Sequence, residues 1–257
     1  MVIAQISDTH ILARSSGDPV GASRADDLRR CIADINRQAV DVVIHTGDSV
    51  QHGTADEYAH LREILADLNA PLFITPGNRD RQATLRAVFE DFSYLPTDGD
   101  LLHYAVEDYP VRLIALDSVS AGERKGVYCA QRLAWLDETL AREPRRRTLL
   151  FIHHPPFDIA DHYRDGYRRP QDAEDLAALV SRHPQVERLL CGHVHCWHRE
   201  PWGGTVATTM SSVAVDLRKG VDASLGSSPL YLPARHVERR LGQSNPGRAP
   251  LIRWQRE

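Results

Sequence analysis

Five short segments of this 257-residue chain carry side chains able to hold a metal ion. They are Asp8-Thr9-His10, Gly47-Asp48, Gly77-Asn78-Arg79-Asp80, His153-His154 and Gly192-His193-Val194-His195. Carboxylate oxygens mixed with imidazole nitrogens suit Mn, Fe, Zn or Co, whereas Ca favours an all-oxygen set. In D-x-H and H-x-H, alternate residues of an extended segment point the same way, so one stretch can supply two ligands. A glycine stands directly before Asp48, Asn78 and His193, where a bare backbone permits a sharp turn. Taken singly, each segment has an ordinary reading. Asp8 and Asp48 could be helix N-caps, Asn78 a cap or a left-handed turn, and His153 and His154 hydrogen-bonded core histidines. Together, each closing an apolar run, they argue for one shared metal site.

The elements that must position these residues follow from hydrophobic periodicity. Apolar runs predict buried strands over residues 2–7, 41–46, 71–75, 148–153 and 186–191, each ending at one of the five segments. Helical spacing predicts helices over 24–38, 55–68, 81–92, 131–141 and 173–182. Residues 101–106 and 111–117 read as adjacent strands joined by a turn at 107–110, and 203–210 as a last strand. Strands interleaved with helices specify an α/β layered fold, and the hairpin-like stretches make its sheet mixed. Open α/β sheets place ligands beside the carboxyl ends of their strands, where all five segments fall.

Composition narrows the function classes. With 42% apolar and 26% charged residues the chain is an ordinary globular protein rather than a disordered one. Its net charge of −4 gives no general basic footprint and argues against nucleic acid as partner. No apolar run reaches the length of a membrane span, and the start lacks the basic region of a signal peptide. Four unpatterned cysteines point to reduced thiols and a cytoplasmic location. Residues 229–257 hold six Arg against two Glu, and the Gly-, Ser- and Pro-rich stretches nearby predict a mobile or oligomer-contacting tail, consistent with a homo-oligomer.

D-x-H, G-D, G-N-x-D, H-H and G-H-x-H in this order resemble the calcineurin-like metallophosphoesterase superfamily. Leu116-Asp117-Ser118, Leu133-Ala134-Trp135-Leu136 and the segments around His153 and His193 resemble its class III cyclic-nucleotide phosphodiesterase and glycerophosphodiesterase branch. The resemblance covers residues 2–208. It implies a four-layer αββα sandwich of two mixed sheets flanked by helices, with residues 1–215 as the metallophosphoesterase domain and 216–257 as a C-terminal extension. It also implies two divalent ions. Asp8, His10 and His195 would hold the first, and Asn78, His153 and His193 the second, with Asp48 bridging. A hydroxide between the metals would be the nucleophile. In the H-H pair, His153 is assigned as ligand because it directly ends the strand. His154 is then left to substrate binding or proton transfer, and Asp80 to orienting its neighbours or capping the next helix.

The sequence departs from the family at Arg79, where His is usual. Arginine stays charged and cannot act as a general acid, but its fork can grip two phosphate oxygens. The alternative is that Arg79 only pairs with Asp8, Asp80 or another carboxylate. A leaving-group proton would then come from His154, His52 or His198. The loop 158–170 adds His162, Tyr163, Arg164 and Tyr167 as candidate substrate contacts, or is merely solvated. These readings predict hydrolysis of a small phosphodiester such as a cyclic nucleotide. A phosphomonoesterase on nucleotides or phosphoproteins is the enzyme alternative, and a metal-free interaction scaffold the non-enzyme one.

Overall fold

The computed structural model of the chain describes residues 1–160 and 162–219 and the backbone of 252–253. Strands β1 (Val2–Ile6), β2 (Val42–His45) and β3 (Leu72–Ile74) run parallel in one sheet. The second sheet has the order β4 (Tyr104–Val106), β5 (Arg112–Leu116), β6 (Thr148–Ile152), β7 (Val186–Cys191), β9 (Thr205–Thr209), β8 (His198–Trp202). Its four central strands are parallel and its two edges antiparallel. A last short strand, β10 (Ile252–Arg253), pairs antiparallel with β1. The oligomer contact expected of the tail falls on 220–251 and 254–257, outside the described residues.

Alternation along the central strands builds the layers. Leu113 and Ala115 of β5 and Leu149 and Phe151 of β6 join one cluster with the residues of β1, β2 and β3. Ile114, Leu116, Leu150 and Ile152 point the other way. They pack on Leu136 and Leu140 of α4 (Ala130–Arg142) and Leu176 and Leu179 of α5 (Pro170–Ser181). The second sheet is thus buried on both faces, as parallel strands require. The first sheet carries α1 (Pro19–Arg37), through Leu28, Ile32 and Ile35, and α2 (Ala55–Leu65), through Leu61 and Ile64. A short α3 (Gln82–Val88) follows β3. Helices, sheet, sheet, helices make the expected four layers, and each fully buried Leu, Ile or Phe contributes about 1.5–3 kcal/mol. Among the described residues no helix is long and apolar enough to cross a membrane.

Helix α1 starts five residues before its apolar periodicity does. Asp18 caps it by accepting from the Val20 amide at 2.9 Å, and Pro19 supplies a pre-set φ at the first helical position. Helix α2 opens with a Thr54–Glu57 capping box and ends at Leu65, short of residue 68, where the chain tightens into a turn closed by Leu68 N–H to Leu65 O. Neither Asp8 nor Asp48 caps a helix. Strand β8 is additional to the expected elements, joined to β9 by the Gly203-Gly204 turn with φ of 54° and 77°.

Side-chain bonds pin the two sheets together at the edge where the parallel strands end. Gln5 donates to the Cys191 carbonyl at 3.0 Å, Thr75 to the Leu116 carbonyl at 2.8 Å, and Tyr104 to the Ile74 carbonyl at 2.7 Å. That edge carries the segments singled out above.

Candidate metal centre

The turns leaving β1, β2 and β7 hold a strained backbone. Asp8, His10, Asp48, His193 and His195 have φ of 53°, 45°, 52°, 72° and 58°. Left-handed backbone costs a non-glycine residue about 1–2 kcal/mol. It persists only where the surroundings over-determine it, which is typical of functional sites. Here the restraints are explicit: Asp8 N–H donates to Gly47 O and His10 N–H to Asp48 O, both at 3.0 Å. Asp8 and His10 therefore converge through two left-handed kinks, not through the alternation of an extended strand, and His193 and His195 do the same. Glycines permit the closeness. A Cβ on Gly77 would lie 2.2 Å from the Asp48 nitrogen, and one on Gly192 2.7 Å from the Thr46 carbonyl.

Two groups of ligand-type atoms result. Asp8, His10, Asp48 and His195 place one atom each within 4.8 Å of one another. His10 Nε2 lies 3.3 Å from His195 Nε2 and 3.6 Å from Asp48 Oδ2, and His195 Nε2 lies 3.3 Å from Asp8 Oδ1. In the second group His153 Nε2 lies 3.2 Å from Asn78 Oδ1, 3.2 Å from His193 Nδ1 and 3.5 Å from Asp48 Oδ1. One carboxylate, Asp48, thus turns one oxygen to each group.

The protein fixes which atoms face inward. His153 Nδ1 donates to the Thr46 carbonyl at 2.8 Å and His195 Nδ1 to the Leu217 carbonyl at 3.1 Å. His10 Nδ1 donates to Gln51 Oε1 at 3.0 Å, an oxygen that also accepts from Arg24 at 3.1 Å. Each ring is therefore held in the tautomer that aims the Nε2 lone pair into the site. With the rings neutral, lone pairs of His10, His195 and Asp8 meet with no hydrogen to share, as do those of His153 and Asn78. A cation among them resolves that repulsion, so the donor set fits metal ions.

Burial and neighbouring charges shift these groups strongly. Burial opposes ionisation of Asp8, but the imidazoles of His195, His153 and His10 hold its carboxyl well below the usual range. Burial, with Asp8 and Asp80 nearby, pushes Asp48 up to about 7 against the pull of His153. Burial takes His10 down to about 3 and His193 well below its ordinary value, while Asp8 raises His195 despite its burial.

The remaining candidates divide. Arg79 donates its backbone N–H to Asp48 Oδ1 at 2.7 Å, and its side chain lines the cavity over the site. Among the described residues its guanidinium makes no ion pair, with Asp8, Asp80 or any other carboxylate. Asp80 is turned away from the cavity, accepting from the Gly77 and Ser49 amides and the Tyr58 hydroxyl, and it caps no helix. The structure does not bring His154 to the cavity. It is 0% exposed, and although one ring nitrogen lies within 4.8 Å of those of His153 and His193, both its nitrogens are engaged. Nδ1 lies 2.8 Å from Ser118 Oγ and Nε2 3.1 Å from the Arg124 carbonyl, and burial lowers its pKa well below the ordinary value. His52 pairs with Glu57 at the start of α2, and His198 with Glu200 on the edge strand β8. Of the loop 158–170, Tyr163 and Arg164 line the cavity, Tyr167 is buried and His162 is exposed.

Sequence reasoning missed the residues that brace these candidate ligands. His45, ending β2, accepts from Gly47 N–H at 3.2 Å and donates to Thr9 Oγ1 at 3.0 Å, and Thr9 donates to Ser49 O at 2.7 Å. This ties the Asp8 turn to the Asp48 turn. Burial takes His45 down to about 4, so it stays neutral. Gln5, Thr46 and Ser7 form a donor relay ending at Asp8 Oδ2, which leaves Oδ1 facing the imidazoles. A histidine inside an apolar strand was the available signal, since a buried imidazole needs partners.

The centre opens into a cavity of about 410 Å³ whose outer wall includes Arg124, Lys125, Tyr163, Arg164 and Lys219. A second cavity of about 570 Å³ lies beside it, lined by His52 and Arg81 among others, and the two share Asn78 and Arg79. A wall of cations draws in an anion, and acceptors gathered beneath it would hold ions that polarise a phosphoryl oxygen. The class is therefore a metal-dependent phosphoric ester hydrolase.

The chain belongs to the calcineurin-like phosphoesterase family, whose model matches residues 1–197. It is 35% identical over 237 residues to a probable glycerophosphodiester phosphodiesterase GpdQ of Arcobacter nitrofigilis, covering 89% of this chain and 86% of the relative. It is 28% identical over 218 residues to the 3′,5′-cyclic adenosine monophosphate phosphodiesterase CpdA of Escherichia coli K12, covering 84% and 77%. A dimetal phosphatase from Danio rerio shares the fold, with a TM-score of 0.67 at 18% identity over 83% of this chain and 88% of that one.

Proposed function

We propose that the chain is a phosphodiesterase for small molecules that works with two divalent cations. Asp8, His10 and His195 would hold one, Asn78, His153 and His193 the other, and Asp48 both. The observation that carries this reading is Asp48 itself, with Oδ2 turned to His10 and Oδ1 to His153. The mixed oxygen and nitrogen donors suit Mn, Fe, Zn or Co. When bound, such a pair supplies positive charge to the phosphoryl group and acidifies water.

The chain's own groups do the rest. Arg79, without an ion pair among the described residues, grips phosphoryl oxygens by its fork at the cavity wall and stabilises developing charge without giving up a proton. His154, buried and bonded at both nitrogens, holds the Arg124 backbone and protonates nothing. Leaving groups that depart as stable anions should therefore react best. Two cavities meeting at Asn78 and Arg79 support a diester over a monoester, since each ester arm has its own space. The names of the relatives support a substrate the size of a cyclic nucleotide or a glycerophosphodiester.

The test compares hydrolysis of bis-p-nitrophenyl phosphate, p-nitrophenyl phosphate and 3′,5′-cyclic AMP by Mn-loaded protein, with Asp48→Ala as blank. Preference for the diester, lost in the variant, is expected. Preference for the monoester would replace this reading with a phosphomonoesterase.

A further inference from the structure

Resting on that phosphodiesterase reading, we propose that the preferred substrate carries a second anionic group, a carboxylate or phosphate, on the ester arm lodged in the smaller cavity. Arg124 and Lys125 would seat it, with Arg164 and Lys219 beside them. A diester contributes one negative charge, which Arg79 and the metal centre already meet. Yet the wall of the same cavity carries Arg124, Lys125 and Lys219 besides Arg164, and among the described residues its acidic lining outside the metal-ligand set is Asp165. The whole chain carries −4, so this local excess is not a general basic background. Among the described residues Arg124 and Lys125 make no ion pair that would explain them structurally.

The wall is also built rather than loose. Arg124 and Lys125 sit on the connection between β5 and α4, and Arg164 on that between β6 and α5. The two connections are laced together: Gly126 N–H donates to Gly166 O at 2.8 Å and Arg168 N–H to Gly126 O at 2.9 Å. Beneath them, buried His154 donates to the Arg124 carbonyl at 3.1 Å, and Tyr167 donates to the His154 carbonyl at 3.0 Å. Arg164 is steadied by donating to the Ala160 carbonyl at 2.7 Å. The buried histidine next to His153 thus sets the height of the cationic wall above the centre, a use of the H-H pair that needs no proton transfer. Cations held before the substrate arrives lose little freedom on binding, so they act as a selectivity filter. The same wall repels an ester arm bearing a quaternary or primary ammonium group.

The experiment uses a series of p-nitrophenyl phosphodiesters that share one leaving group and differ in the other arm: propyl, 3-carboxypropyl, 3-phosphonopropyl and 3-(trimethylammonio)propyl. At low ionic strength the anionic arms should raise kcat/KM about tenfold over propyl and the cationic arm should lower it about tenfold. In Arg124→Gln/Lys125→Gln these ratios should move toward one, whereas in Arg142→Gln/Arg145→Gln, an equal charge change on exposed positions away from the cavity, they should persist. Competitive inhibition by 3-carboxypropyl phosphate against propyl phosphate should show the same ratio without turnover. Equal gains from both anionic arms identify any anion as the ligand, and a gain confined to the phosphonate identifies a phosphate. A flat series, or one whose spread survives Arg124→Gln/Lys125→Gln, overturns the inference while leaving the diesterase reading intact. Failure to hydrolyse the propyl ester alongside rapid hydrolysis of p-nitrophenyl phosphate would instead sink the diesterase reading, and this inference with it.

Discussion

Replacing Asp80 separates a residue that builds the centre from one that reacts in it. Its buried carboxylate accepts from the Gly77 amide at 2.8 Å, the Ser49 amide at 3.1 Å, the Val50 amide at 3.4 Å and the Tyr58 hydroxyl at 2.9 Å. Those donors belong to the turns carrying Asn78 and Asp48 and to helix α2. Asp80→Ala strands all four, and each unsatisfied buried donor costs about 1–3 kcal/mol. A total of about 4–12 kcal/mol follows as an upper bound, or a fall in Tm of about 10 °C or more for a domain of this size. Asp80→Asn keeps the shape. An amide oxygen at the Oδ2 position still serves Gly77 and Ser49, the Tyr58 hydroxyl can turn to accept from the new NH2 group, and only the long Val50 N–H bond to Oδ1 is lost. Its cost should be about 1–2 kcal/mol. The assay pairs denaturant unfolding of metal-free protein with metal affinity and kcat on bis-p-nitrophenyl phosphate. Activity should follow stability and metal affinity, with Asn retaining turnover within about tenfold and Ala losing far more. A 1000-fold or greater loss of kcat in Asp80→Asn, with unfolding and metal affinity unchanged, would show that Asp80 transfers a proton, and would refute this reasoning.

Gly77→Ala should cost about 100-fold in activity, because the new Cβ meets the Asp48 backbone at 2.2 Å and must displace it, and metal content measured by elemental analysis should fall with it. Arg79→His should raise the rate on alkyl esters relative to aryl esters by about tenfold or more, since an imidazole can protonate a poor leaving group; an unchanged ratio would contradict the role given to Arg79. His103 supplies a pH test remote from the ligands. Burial, with Arg132 nearby, lowers it to about 3, and its Nδ1 accepts the Asp117 amide at 2.9 Å, so the folded form resists protonation. The unfolded chain takes up that proton below its ordinary pKa, so stability falls as pH drops from about 6.5 toward 3. Between pH 7.5 and 5.5 wild type in EDTA should lose about 1.4 kcal/mol more than His103→Gln, as denaturant titrations would measure.

The parts of the fold that the sequence announces are those with one-dimensional signals. β6 and β7 are apolar runs closed by His153 and by Gly192-His193, and both expectations agree with the ladders. β8 is hidden because H-R-E-P-W is polar, half-exposed and interrupted by Pro201, which only an edge strand tolerates. The start of α1 was readable from Asp18-Pro19 but not from periodicity, because Val20 points to solvent at 42% exposure. Within the site, the seven ligand-type residues announce themselves by spacing, yet the reason they converge does not. Left-handed φ at Asp8 and His10 is imposed by bonds to residues about forty positions away, and local sequence cannot express that. For the same reason His154 looked available beside His153. Only the tertiary structure puts Ser118 and the Arg124 carbonyl on its two nitrogens.

The most direct test of the two-cation account is a count of bound metal by calorimetric titration of metal-free protein with Mn, on wild type, His153→Ala and His154→Gln. The account predicts two ions per wild-type chain, one in His153→Ala and two in His154→Gln. A single ion per folded wild-type chain, or a site lost from His154→Gln and kept by His153→Ala, would contradict it.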